Sequence, residues 1–294
     1  MIEIHEVKNS SDLKTFVKFP FKLYKDSKYW VPPIINEEIN IFNPNLNPTL
    51  NNINLSLFVA KKNNQVVGRV AAIINWNEVK EQKVKKIRFG WFDTINDLNV
   101  TKILLDKVNQ VGRDNKLDYM EGPMGFSNLD KVGILTDGFD EIGTMITWYN
   151  HPYYSSHFKQ LNFKIEKKYR EKKFSFKNLD INYYLRMSNV IKIRYGFKEM
   201  NFNRTEDVLN NANEMFDLFN KSYSKLPSFV RINKIQIEYL KNKFLKYINP
   251  KFISLALNKE KKIIGFAIVM PSYAKALQKM KGKLFPFGFL HLIN

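Results

Sequence analysis

Hydrophobic residues recur with two alternating periods along the first 176 positions. A period of two predicts a strand, and a period near 3.6 predicts a helix with one apolar face. The order of the two patterns is β-α-β-β-β-α-β-α-β. The predicted strands open at Ile2 and then cover Leu55–Lys61, Val66–Ile74, Lys86–Thr94, Tyr119–Glu121 and Phe163–Phe176, while the predicted helices begin at Asp12 and cover Asn99–Asp114 and Tyr154–Leu161.

The predicted helix between the fourth and fifth strands decides how those two strands pair. Parallel neighbours need a crossover connection, which Asn99–Asp114 supplies between Lys86–Thr94 and Tyr119–Glu121. The second and third strands are joined by a short turn at Asn63-Asn64, which is a hairpin signal. The sequence therefore predicts an α+β fold with one mixed sheet that is mostly antiparallel.

The second half repeats the opening order of the first. A predicted helix at Tyr184–Tyr195 precedes a strand at Phe197–Phe202, and two helices and two further strands follow. We therefore predict a first domain over 1–176, a linker helix within 177–196 and an incomplete second unit of the same kind over 197–294. The apolar segment Lys283–Asn294 is expected to pack on the first domain or to fray.

Composition fits a folded protein and excludes several kinds of site. Of the 294 residues, 44% are hydrophobic and 14% aromatic, which is enough to build packed cores. The chain has no cysteine, which excludes disulfides, thiolate metal sites and a cysteine nucleophile. The four histidines are scattered without the spacing of zinc ligands, so the sequence predicts no metal site.

The formal net charge of +19 raises the question of a nucleic-acid partner. The basic residues are dispersed, however, in short clusters such as Lys167-Lys168, and no zinc-finger, RRM or KH motif is present. A composition rich in lysine and asparagine accounts for most of this charge. Nucleic acid is therefore the least favoured partner, and a phosphate-bearing ligand such as coenzyme A could use part of the remaining charge.

The apolar segments of the sequence do not predict a signal peptide or a membrane-spanning helix. Met1–Lys8 lacks the apolar core of a signal peptide. The longest apolar run, Ile263–Met270, is far shorter than the ~20 residues that a membrane-spanning helix needs. We expect a soluble, cytoplasmic protein with no membrane contact; the sequence does not determine its oligomeric state.

Four motifs point to a known superfamily. Arg88–Asp93 (RFGWFD), Gly122–Ser127 (GPMGFS), Gly138–Asp140 (GFD) and Tyr149–Tyr154 (YNHPYY) resemble those of a family of uncharacterised bacterial GNAT-like proteins with two tandem halves. GNAT denotes the N-acetyltransferase-like superfamily. The resemblance is good over 1–169 and fainter beyond.

The resemblance implies a sheet with a V-shaped split between its fourth and fifth strands, where acetyl-CoA or another acyl-CoA would bind. The pantetheine arm would pair with the fourth strand, and the pyrophosphate would lie at the N-terminus of the next helix, where free N–H groups and the helix dipole favour an anion. The implied cofactor-binding residues are Phe92, Asp93, Thr94, Asn99, Val100, Thr101, Lys102 and Asn150.

One segment departs from the superfamily pattern. GNAT enzymes usually carry a glycine-containing loop before this helix, whose glycines let the backbone approach the phosphates. Here Thr94–Asn99 has no glycine, and Asp97 would repel an anion. This departure favours a degenerate scaffold that binds a small ligand or a protein without catalysis.

The implied catalytic residues are Tyr153 and Tyr154 as acids and Glu121 as a base. Tyrosines occupy this position in many GNAT enzymes and protonate the leaving thiolate. Aromatic residues beside Pro152 can equally pack a loop, and a lone carboxylate at the end of a strand can simply be solvated or paired. Both interpretations stay open from sequence alone.

Two segments are candidates for the acceptor site. The long, glycine-rich and acidic loop Gly122–Gly143 could cover an amine or could only support the tyrosine segment. Trp30–Pro33 lies where GNAT proteins line the acceptor site, although it can also be a rigid packed turn. The favoured function is therefore acyl transfer from acyl-CoA to an amine of a small molecule or a protein.

Overall fold

The computed structural model describes residues 1–127, 129–144, 147–226 and 229–293. It contains two compact units, one formed by Met1–Lys167 with Ser272–Asn294 and the other by Lys168–Pro271. In chain order, the elements of the first unit are β1 (Ile2–Glu6), α1 (Ser10–Leu23), α2 (Ile35–Ile41), β2 (Ile53–Lys62), β3 (Gln65–Asn75), α3 (Trp76–Lys80), β4 (Lys86–Thr94), α4 (Leu98–Asp114), β5 (Tyr119–Glu121) and α5 (Tyr153–Gln160). The second unit holds α6 (Ile181–Tyr195), β6 (Lys198–Asn201), α7 (Thr205–Tyr223), α8 (Lys234–Lys243), β7 (Ile253–Leu257) and β8 (Ile263–Ile268), after which α9 (Ala274–Met280) and α10 (Leu290–Ile293) return to the first.

The unit boundaries differ from the domain limits expected at 176 and 197. Residues 168–196 group with the second unit, and the segment from 272 onward groups with the first. Backbone contacts explain the latter, because the Ile35 amide donates to the Gly282 carbonyl at 2.9 Å. The Gln278 side chain also donates to the Trp30 carbonyl at 3.0 Å.

The first sheet has the strand order β1-β2-β3-β4-β5. All neighbours are antiparallel except β4 and β5, which are parallel and connected by α4, as predicted. β4 pairs with β5 only from Lys86↔Tyr119 to Arg88↔Glu121, although β4 continues to Thr94. The strand pairing ends at Arg88, although the Met124 amide still donates to the Phe89 carbonyl at 2.8 Å, and the mostly antiparallel α+β fold is confirmed.

Each face of this sheet is covered by apolar side chains of a different helix. The amphipathic helix α4 packs Val100, Leu104 and Val108 on one face, where all three are fully buried. Helix α1 packs Phe16 and Val17 on the other. Burial of side chains of this size contributes about 1.5–3 kcal/mol each, so the helices hold the sheet from both sides.

A bulge in β4 reverses the face of the sheet on which each of its last residues lies. Arg69 pairs with Asp93 while Ala71 pairs with Gly90, so one residue of β3 faces two residues of β4. Trp91 adopts a positive φ of 43° at this point and joins the α1 face, although Phe89, two positions earlier, lies on the α4 face. The bulge thereby brings Asp93 onto the same face as Arg69.

Two local predictions are wrong. The expected sixth strand at Phe163–Phe176 is absent, and residues 163–175 form irregular chain. Most of this segment is charged and exposed, with six basic side chains, so it has no apolar face to bury against a sheet. Helix α1 is capped by the Asn9 side chain, which accepts from the Ser11 and Asp12 amides, and not by Asp12.

The second unit contains a three-stranded antiparallel sheet of order β6-β7-β8. Its core is formed by α7 against this sheet, with Val208, Ala212 and Met215 buried beside Ile253 and Leu255. The order of one strand, two helices and two strands matches the opening of the first unit. Within the described part of the chain, no helix is both long and apolar enough to span a membrane.

Candidate active site

A cleft of about 440 Å³, counting the space open to solvent, lies on the α1 face of the first sheet. Its floor is formed by Arg69 of β3 and Asp93 of β4, which the bulge has brought together. Its walls come from the end of α1, the turn before α2, α2 itself and the loop before α5. The wall residues are Pro20, Tyr24, Trp30, Val31, Pro33, Glu38, Lys131, Gly143, Thr144, Thr147, Trp148 and Tyr149.

The floor is a buried ion pair extended by a phenol. Arg69 donates from Nε and Nη2 to Asp93 Oδ2, each at 2.7 Å, and from Nη1 to the Phe16 carbonyl at 3.0 Å. Tyr24, which follows α1 directly, donates its hydroxyl proton to Asp93 Oδ1 at 2.8 Å. Burial, and then the charge of Asp93, raises the pKa of Tyr24 well above its usual value. Tyr24 therefore stays protonated at neutral pH.

The two tyrosines predicted as acids extend this network to the end of β4. The Tyr154 hydroxyl lies 3.2 Å from the Tyr24 hydroxyl and accepts from the Thr94 amide at 2.9 Å. The Tyr153 hydroxyl donates to the Thr94 carbonyl at 2.6 Å. Burial raises the pKa of both phenols, with Asp93 adding to the effect. Each can donate a proton at neutral pH, but neither can act as a base.

These contacts also occupy a predicted binding surface. The amide and carbonyl of Thr94, expected to pair with a pantetheine arm, both have protein partners. The Phe92 side chain packs against the Tyr154 and Phe158 rings in the core. The side chains of α5 therefore take the place at Thr94 that the sequence assigned to a cofactor.

The N-terminus of α4, expected to hold a pyrophosphate, is capped by Asp97. Its carboxylate accepts from the Asn99 amide at 3.0 Å and lies 3.4 Å from Lys62 Nζ. Asn99 is exposed, whereas Val100 and Thr101 are buried. Thr101 Oγ1 lies 2.8 Å from His157 Nδ1, and burial lowers the pKa of that histidine.

The remaining predicted residues have structural partners. Lys102 is more than half exposed and pairs with Asp106 at 2.6 Å on the same helix. Asn150 is buried and closes the loop before α5: its Oδ1 accepts from the Leu135 amide at 2.6 Å, and its Nδ2 donates to the Leu135 carbonyl at 3.2 Å. Neither side chain lines the cleft.

Glu121 belongs to a charge network at the root of β4 and β5. Lys86 Nζ lies 2.6 Å and Lys167 Nζ 2.9 Å from its carboxylate oxygens. Burial opposes ionisation of Glu121, but hydrogen bonds from the two lysines outweigh it and hold its pKa below the usual value. A carboxylate with a lowered pKa is a weak base, so the geometry favours a structural role.

This lowered pKa predicts a pH effect on stability. The unfolded chain binds the Glu121 proton more tightly, so the stabilisation is complete above about pH 5 and is lost as the pH falls through the folded pKa. Melting temperatures of the wild type and of Glu121→Gln measured between about pH 7 and pH 3 should converge toward the acid end. A constant difference across this range would contradict the prediction.

Several cleft residues carried no signal in the sequence. Tyr24, Glu38 and Arg69 are ordinary residues of amphipathic elements, and Lys131 is one lysine among many. The loop Gly122–Gly143 contributes to the cleft through Lys131 and Gly143, and Trp30–Pro33 lines it, so both acceptor-site segments meet there. Of the individual residues predicted as catalytic or cofactor-binding, all of them described, Asp93 is the one that lines the cleft. Asn128, Met145 and Ile146 lie outside the described residues.

The strand order and the single parallel pair after a crossover helix are the arrangement that the four motifs implied. The first unit has a GNAT-like fold. No group of three His, Asp or Glu side chains in the described ranges could hold a metal ion.

Comparisons with known proteins show what this chain is similar to. No family model matches the chain. It is similar to protein YghO of Escherichia coli, with 24% identity over 291 residues that cover 97% of this chain and 72% of that protein. It is also similar to the bacterial ceramide synthase of Caulobacter vibrioides, with 20% identity over 99% of this chain and 76% of that protein. Among solved structures, a tandem GNAT protein from the clavulanic acid biosynthesis pathway matches 92% of this chain and 76% of its own, with 8% identity and a TM-score of 0.47.

Proposed function

We propose that the first unit of this GNAT-like chain is an N-acyltransferase that moves an acyl group from an acyl-CoA to an amine bound in the cleft. The observation that carries the proposal is the position of the cleft floor. The bulge places Asp93 at the end of β4, beyond the last residue that pairs with β5. Asp93 connects through Tyr24 and Tyr154 to the Thr94 backbone.

The acceptor side of the cleft suits an amine. Asp93 and Glu38 are carboxylates that attract an ammonium group, and both line the cleft. The aromatic walls at Trp30, Trp148 and Tyr149 would exclude water from the reacting amine. The relative in Caulobacter vibrioides is a ceramide synthase, and a ceramide is an N-acylated amino alcohol, so its name describes the same type of bond.

Acyl transfer from the thioester to an uncharged amine forms a C–N bond and breaks the C–S bond. The amine nitrogen loses one proton, which solvent can accept and return to the acid, and the leaving thiolate gains one. Tyr153 and Tyr154 stay protonated at neutral pH and lie beside the end of β4, so they are the groups of this chain that could supply it. Tyr24 holds Asp93 in place and reaches Tyr154, which makes it a positioning residue.

A second candidate is a scaffold that binds the amine without transferring an acyl group. The specific observation in its favour is the donor side, where the tyrosine hydroxyls hold both backbone groups of Thr94 and Asp97 caps α4. An acyl-CoA with its phosphate at this helix would meet the Asp97 carboxylate. The residues present therefore fit the acceptor better than the donor.

Titration of the protein with acetyl-CoA separates the two candidates. If the phosphates lie at α4, Asp97→Asn should tighten binding by about 1 kcal/mol, roughly fivefold, because one partly screened negative charge is removed. Asparagine is also a good helix cap, so stability should barely change. Calorimetry on wild type, Asp97→Asn and the matched control Asp114→Asn, at the far end of α4, measures this.

The control removes the same charge from the exposed far end of α4 and should leave binding unchanged. Release of free thiol from acetyl-CoA in the presence of an amine then tests transfer itself. Equal binding by all three proteins would place the phosphates elsewhere. Absence of binding in all three would favour the scaffold that does not transfer.

A further inference from the structure

The cleft contains two charged side chains of opposite sign that do not pair with each other. Glu38 accepts a hydrogen bond from Trp91 Nε1 at 2.6 Å but has no cation within 4.0 Å among the described residues. Lys131 likewise has no carboxylate within 4.0 Å and no hydrogen bond from its ammonium group in the described ranges. The other two charges in the cleft, Arg69 and Asp93, are paired.

The Lys131 ammonium group is poorly solvated and has no carboxylate in direct contact among the described residues. Burial lowers its pKa first, and Arg69 adds to that, while Glu38 and Asp93 oppose the shift without overcoming it. A half-buried ammonium in this state is stabilised by any anion that reaches it. Its ammonium nitrogen is not fully buried, because every fully buried side-chain nitrogen and oxygen among the described residues has a partner, and the residue lines the cleft.

Glu38 lacks a positively charged partner among the described residues. It lies on α2, half-buried at the cleft wall, and the group that donates a hydrogen bond to it, the Trp91 indole, is neutral. A buried or half-buried carboxylate gains most from a charged donor, so an ammonium group is its natural ligand. The two unpaired charges line the same cleft, with aromatic side chains of Trp30, Trp148 and Tyr149 around them.

We propose that the cleft binds a zwitterionic amine, with the ammonium group of the ligand on Glu38 and its carboxylate or phosphate on Lys131. A plain amine would leave Lys131 unpaired and would be repelled by it, and a plain carboxylate would leave Glu38 unpaired. If the zwitterion is the acceptor substrate, the proposal rests on the proposed N-acyltransferase function. Binding of the zwitterion in the cleft does not itself require acyl transfer.

Matched probes test the proposal at about pH 7 by calorimetry or by NMR titration of the full chain. L-Leucine is compared with isoamylamine, which lacks the carboxylate, and with 4-methylpentanoate, which lacks the amine. O-Phosphoethanolamine is compared with ethanolamine, so that the two anion chemistries are distinguished. In at least one series the zwitterion should bind about tenfold more tightly than its truncated partners, the contribution expected of one charge-assisted hydrogen bond.

Two variants assign the two ends of the ligand. Lys131→Met should bring the zwitterion down to the affinity of its amine analogue, and Glu38→Gln should bring it down to that of the anion while preserving the acceptor for Trp91. Lys22→Met removes an exposed lysine of α1 and should change nothing. Neither cleft variant breaks an ion pair, so both should fold, which their melting temperatures verify.

The outcomes separate this proposal from the function on which it draws. If neither zwitterion binds more tightly than its amine and its anion, the proposal is wrong, whatever the result with acetyl-CoA. If zwitterions bind and acetyl-CoA does not, the cleft assignment holds and acyl transfer fails. A zwitterion that still binds tightly to Lys131→Met would also overturn the assignment.

Discussion

Replacing Glu78 with alanine is expected to lower the free energy of unfolding by about 3–5 kcal/mol. Glu78 is fully buried on α3 and accepts from Arg88 Nε at 2.7 Å and Nη2 at 2.6 Å. Lys86 Nζ lies 3.1 Å from the same carboxylate. Arg88 and Lys86 are themselves buried in β4, so both would lose a negative partner in a place where water cannot replace it.

Urea or thermal unfolding of Glu78→Ala measures the effect, with Glu81→Ala as the matched control. Glu81 lies one turn from Glu78 at the end of the same short helix and is exposed, so its removal should stay within about 0.5 kcal/mol. A similar small loss for both variants would show that Arg88 and Lys86 are held by their remaining contacts. Arg88 also donates to the Gly125 carbonyl at 3.1 Å, which limits the loss.

This charge network shows what the sequence position of one predicted catalytic residue could not reveal. Glu121 ends a strand beside the expected split, which is where a base would be useful. Its sequence neighbours give no sign of Lys86 and Lys167, which lie 35 and 46 positions away along the chain. A pattern shows where a carboxylate lies on an element, but the partners that set its pKa come from other elements. Sequence periodicity cannot supply them.

The fold was easier to predict from the sequence than the site, because the local hydrophobic periodicity determines the helices and strands. The α4 stripe of Val100, Leu104 and Val108 repeats every four residues and identifies both the helix and its buried face. The position of α4 then fixes β4 and β5 as parallel neighbours. The missing strand after Phe163 shows the limit, since weak alternation among lysines has no apolar face to bury.

The cleft depends on the bulge in β4, which no period reveals. Strict alternation would place Asp93 on the α4 face together with Phe89, away from Arg69. The extra residue at Trp91 reverses that assignment and creates the ion pair of the floor. Sequence reasoning could select Asp93 by resemblance to the family. It could not predict that Arg69, Tyr24, Glu38 and Lys131 would meet it or surround it.

The floor therefore carries the second large expected effect: Asp93→Asn should lower the free energy of unfolding by about 3 kcal/mol, because Arg69 would remain buried without a negative partner. Asparagine can still accept from Tyr24, so the loss reports the charge of the pair more than its shape. As a control, Asp140→Asn in the exposed loop before α5 should change the free energy of unfolding by no more than about 0.5 kcal/mol.

A double-mutant cycle tests the pair directly. Combining Asp93→Asn with Arg69→Met should cost less than the sum of the single changes, with a coupling of about 1 kcal/mol or more, measured by urea unfolding of the four proteins of the cycle. Strict additivity would contradict the assignment of Arg69 and Asp93 as the pair that holds the cleft floor together.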